Sequence, residues 1–128
     1  MKTSEIKLFE KMHVQMQALH EEIGALSKKS PNDGVNKFKL KLINSLLMEA
    51  NGLLEGEYKP LAGFDQFSED DIPTNSDVTV VLAQYLNCLE KLRADNIQKE
   101  EFGIRWYWVV SNKLTKIQTS PPRKLKEK

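Results

Sequence analysis

Apolar side chains recur at helical spacing along most of this chain, and the clearest stretch is residues 74–97. There Val78, Leu82, Tyr85, Leu89 and Leu92 step by 4, 3, 4 and 3 residues, which lays them in one stripe along a helix. Thr74 with Asp77 three residues on predicts a capping box, and Asp95-Asn96 closes the segment. Upstream, Phe9, Met12, Met16, Leu19, Ile23 and Leu26 step by 3, 4, 3, 4 and 3. That spacing predicts a first helix over 4–29 whose heptad-like seam packs along a neighbour. Ser30-Pro31-Asn32-Asp33-Gly34 is a turn by composition.

The second helix, expected over 35–55, is apolar beyond one stripe. Val35, Phe38, Leu40, Leu42, Ile43, Leu46, Leu47, Ala50, Leu53 and Leu54 leave only Asn44, Ser45 and Asn51 as a polar edge. Such a helix is either central in a bundle or covered on a second side by a partner. Residues 57–73 break the pattern with two prolines, a glycine and the acidic run Glu69-Asp70-Asp71. Their apolar members, Tyr58, Leu61, Phe64, Phe67 and Ile72, argue for packing, either as a lid on the bundle or against a partner.

Residues 98–117 fit two periods. Ile104, Trp106, Trp108 and Val110 alternate as in a strand, while Phe102, Trp106, Val109, Lys113 and Ile117 trace a helical face. An isolated strand leaves its amides unpaired, and with no evident partner strand the segment is expected to be a fourth helix. The fold expected is therefore all-α, a single four-helix bundle-like domain over 1–118. A basic tail, 119–128, follows it. Because Trp106 and Trp108 do not fit one helical stripe, one of them should point outward with Ile104.

Composition narrows the chemistry. Nineteen basic against eighteen acidic side chains leave a net charge of +1, so no overall field draws the chain to nucleic acid or membrane. The single cysteine, Cys88, excludes an internal disulfide and reads as a small packed side chain. The lack of a leader-like or spanning segment suggests a cytoplasmic protein. His13 and His20 flank the seam of the first helix with no nucleophile beside them. Glu10 and His13 have the spacing of a carboxylate-bridged metal helix, but no second copy exists. No catalytic residue, metal site or cofactor is therefore assigned. Glu21, Glu22, Glu49 and Asp77 lie on successive helices, an architecture similar to MazG-type nucleotide pyrophosphohydrolases. Ala25, Thr74 and Val80 occupy positions where that family carries its further carboxylates, which leaves this enzyme class as an alternative.

Residues 113–128 hold six cations and one anion. Arg123, Lys124, Lys126 and Lys128 are accordingly the candidates for phosphate contact, and a nucleic-acid-binding module is a second alternative. Trp106, Tyr107, Trp108, Phe64 and Phe67 are the candidates for protein contact, because aromatic side chains dominate interface energetics. The run Ser76-Asp77-Val78, Gln84-Tyr85-Leu86 and Cys88 to Ile97 resembles small accessory subunits encoded beside SMC-like ATPases in Lamassu-type or related three-component antiphage systems. That resemblance implies a non-enzymatic adaptor seated on the ATPase or its effector. It assigns no residue a role.

Overall fold

The structure, a computed structural model, describes residues 1–123. Three helices come first: α1 (Thr3–Lys29), α2 (Lys37–Leu53) and α3 (Asn75–Ala94), with a single 3-10 turn at Gly56–Tyr58. Three strands follow: β1 (Ile97–Lys99), β2 (Trp106–Val110) and β3 (Lys113–Thr119). They form one antiparallel sheet in the order β1-β2-β3. The class is mixed α+β, which overturns the expected all-α four-helix bundle.

The fourth helix fails because Trp106–Val110 has two partners. Ile97 to Lys99, assigned from sequence to the end of the third helix and its exit, pairs with Trp108 to Trp106. On the other side, β3 offers Thr115, Ile117 and Thr119 as half-buried β-branched positions at period two, with exposed residues between them. That alternation suits a strand with one covered face. Ser111 and Asn112 close the β2–β3 hairpin, both at positive φ (52° and 63°), the left-handed pattern of a two-residue hairpin loop. The strand period of 104–110 thus describes the segment, and Trp108 points into the core while its neighbours are half-buried.

The three helices match their sequence signals closely. Thr74 Oγ1 accepts the Asp77 amide at 3.1 Å, and an Asp77 carboxylate oxygen accepts the Thr74 N–H at 3.5 Å, completing the capping box. Val78, Leu82, Tyr85, Leu89 and Leu92 are all buried. In α1 the seam residues Phe9, Met12, Met16 and Ile23 are fully buried, and α1 packs along the length of α3. Asn36 caps α2 by accepting the Lys39 amide at 2.8 Å, and Val35 just before it is buried like Leu40.

The 57–73 stretch is tied down by the polar edge of α2. Asn44, itself buried, grips Phe67 at both main-chain atoms, donating to its carbonyl at 3.0 Å and accepting its N–H at 2.9 Å. One helical face further on, Asn51 donates to the Asp65 carbonyl at 2.8 Å and accepts the Tyr85 hydroxyl at 2.8 Å. Each bond satisfies a group that would otherwise be costly to bury. The loop lies across the bundle on these two asparagines.

Candidate interaction surface

Beneath the sheet, α1 and α3 present a set of polar groups to the end of the chain. Glu90 and Arg93, one turn apart on α3 and both buried, form a two-point ion pair with both N–O distances at 2.8 Å. Arg93 spends its remaining donors on Thr119 Oγ1 at 2.9 Å and on the carbonyls of Ser120 at 2.7 Å and Pro121 at 2.9 Å. Glu90 also accepts the Arg123 amide at 2.9 Å. Burial works to raise the Glu90 pKa, but these hydrogen bonds and the two guanidinium charges outweigh it and hold the carboxyl below its ordinary range.

His13 lies beside this pair, stacked on Phe9 at 5.3 Å. Burial, then the charges of Arg123 and Arg93, lower its pKa to about 4 against the opposing pull of Glu90. The ring is therefore neutral near neutrality and serves as packing. The Trp108 indole meets Phe9 edge-on at 5.3 Å and donates its N–H to Glu10 Oε1 at 2.8 Å. Among the described residues no buried side-chain nitrogen or oxygen lacks a hydrogen-bond partner. The cluster is closed, and it fixes the sheet and residues 119–123 onto the helices.

The aromatic residues singled out from sequence are distributed unevenly. Trp108 is fully buried and offers no surface to a partner. Trp106 is half-buried against the core, and Tyr107 beside it is half-buried. Phe64 and Phe67 meet edge-on at 5.2 Å, and Phe64 in turn meets Tyr85 at 6.4 Å, so both belong to the lid over the core. Of the basic candidates, Arg123 is exposed and held through its main chain, while Lys124, Lys126 and Lys128 lie outside the described residues.

The carboxylates of the pyrophosphohydrolase alternative are engaged structurally. Glu22 pairs with Lys39 at 3.2 Å, and Asp77 caps α3. Among the described residues no group of three or more His, Cys, Asp or Glu side chains is arranged to hold a metal ion. Among the same residues, no helix is long and apolar enough to cross a membrane.

The largest uncovered apolar surface on a regular element is on α2. This helix is peripheral: it packs on α1 and touches α3 over only a short stretch. Leu40, Ile43, Leu46, Leu47 and Ala50 face inward, while Phe38 (72% exposed), Leu42 (44%) and Met48 (55%) face solvent. With Ser45 and Gly52, which are also exposed, these positions step by 4, 3, 3 and 4 residues along one face. Lys37 and Lys41 flank the Phe38 end. Large side chains beside small ones make a surface of ridges and hollows that another helix can fill.

No family model, curated protein or solved structure matches this chain.

Proposed function

We propose that the chain is a non-enzymatic interaction subunit that docks on a larger protein through the outer face of α2. The observation that carries this reading is the second apolar face of a peripheral helix. Sequence allowed two explanations for an over-apolar second helix, a central position or a covering partner. The helix is at the edge of the fold, and Phe38, Leu42 and Met48 have no intramolecular cover. Contiguous exposed apolar side chains of this size mark docking surfaces. A helix presenting anchors at one-turn spacing fits an apolar groove or a second helix. The partner class is the one implied by the resemblance of residues 76–97, the ATPase of a Lamassu-type or related antiphage complex or its effector.

The test is affinity purification from the native host of the parent chain and of a Phe38→Ser, Leu42→Ser, Met48→Ser variant. The parent should bring down a stoichiometric larger protein, and the variant should lose it while keeping its helical circular dichroism. A variant that retains the partner overturns the α2 assignment. A parent chain that elutes alone overturns the subunit reading itself.

A further inference from the structure

The turn between β1 and β2 carries the two most exposed large apolar side chains of the described residues. Lys99 pairs with Trp106, and the Glu100 amide donates to the Arg105 carbonyl at 2.9 Å. This leaves residues 101–104 as the tip, with Phe102 90% and Ile104 84% exposed. The tip therefore rests on nothing of its own chain. Lys99 and Arg105 flank it as exposed cations. The Glu100 side chain folds under the turn, occupying the place a β-carbon on residue 103 would take, so Gly103 is needed there unless Glu100 swings out. Glu101 is the one carboxylate left exposed within the tip.

At the N-terminal end of α3 the same molecule carries an open groove of about 580 Å³. Ile72, Pro73, Val80 and Val81 line it with the edge of Phe67, and Ile72 (42%) and Val80 (58%) are exposed. Asp71 and Asp77 stand among these apolar walls. The neighbouring Glu69 and Asp70 share a separate depression with Lys37 and Lys41, so their charge faces cations already. Among the described residues neither Asp71 nor Asp77 is in an ion pair.

We infer that the Phe102–Ile104 tip of one copy seats in the Ile72–Val80 groove of a second copy. Two apolar side chains between cations meet an apolar floor between carboxylates, so shape and charge agree. The contact joins two different surfaces. It is thus head-to-tail, and every added copy leaves one free tip and one free groove. A four-residue tip covers far less than the roughly 1,600 Å² of a standard stable interface, so each contact is weak and the assembly grows with concentration. This surface is separate from the outer face of α2.

Sedimentation equilibrium of the full chain over a wide concentration range tests the inference. The weight-average mass should climb without a dimer plateau, and added salt should lower it. Phe102→Ser with Ile104→Ser removes the tip, and Val80→Glu charges the groove. Each variant alone should stay monomeric. An equimolar mixture should form 1:1 dimers and go no further, because only one intact tip and one intact groove remain. The α2 triple variant should still assemble, which separates this contact from the proposed partner site. A parent chain that stays monomeric throughout overturns the inference, as does association that the tip and groove variants leave unchanged.

Discussion

Glu90 and Arg93 form a buried fork at 2.8 Å, and between them they hold the main chain of residues 120–123. Arg93 grips two successive carbonyls, and Glu90 accepts an amide two residues beyond the second. This is recognition of backbone, indifferent to the side chains it holds. It explains how a segment with two adjacent prolines, which cannot donate to a sheet ladder, is nevertheless fixed against α3.

Breaking one member of such a pair leaves the other charged, buried and unmatched. Arg93→Met should cost about 3–5 kcal/mol in urea unfolding and expose the Arg123 amide to hydrogen exchange. Arg93→Lys should rescue little, because an ammonium cannot make the two-point contact with Glu90 while reaching two carbonyls. A loss below about 1 kcal/mol in Arg93→Met would show that water replaces the fork.

Trp108 acts as a tether between the sheet and α1. Its ring is fully buried, and its N–H reaches Glu10 across 98 positions of sequence. Trp108→Ala should cost about 3–5 kcal/mol through the cavity it leaves. Trp108→Phe keeps most of the packing, loses the hydrogen bond and should cost about 1–3 kcal/mol. Thermal unfolding followed by circular dichroism measures both. If Trp108→Ala instead left stability unchanged while weakening a complex, the residue would belong to an interface.

His13 makes the protein sensitive to acid with a definite sign. Its pKa is about 4 in the folded chain against 6.5 for an ordinary histidine. Between those values the unfolded chain binds a proton that the native chain does not, so stability is full above about 6.5 and falls as pH drops toward 4. The size is on the order of 2–3 kcal/mol for a shift of this kind. Glu90, also held low, adds a further loss at lower pH as its carboxylate is protonated. His13→Gln should flatten the stability curve between pH 6.5 and 4 relative to the parent. An unchanged slope there would mean that His13 titrates normally.

How far the sequence reached can be followed residue by residue. The α3 cap and stripe, the α1 seam and the extra apolar face of α2 depend on positions three to seven residues apart. Local spacing therefore displays them directly. The sheet was partly legible: Ile104, Trp106, Trp108 and Val110 have the strand period, and Thr115, Ile117 and Thr119 supply a matching alternation. It was missed because Ser111-Asn112 is a weaker turn signal than Asn-Gly, and because β1 is three residues directly behind a helix. Among the candidate contact residues, Phe38, Leu42 and Met48 were visible only as surplus hydrophobicity. The exposed tip was foreshadowed in the outward placement of Ile104.

The sequence by itself determined three helices, their caps and which stripe of each is apolar, since helical periodicity and capping are properties of neighbours along the chain. Only the tertiary structure decided that Trp106–Val110 is a strand, because a strand's hydrogen bonds go to other segments. The third dimension likewise brought Glu90, Arg93, His13 and the 119–123 segment into one buried cluster. It also decided that α2 lies at the edge, since which apolar faces meet and which remain bare depends on the packing of the whole fold.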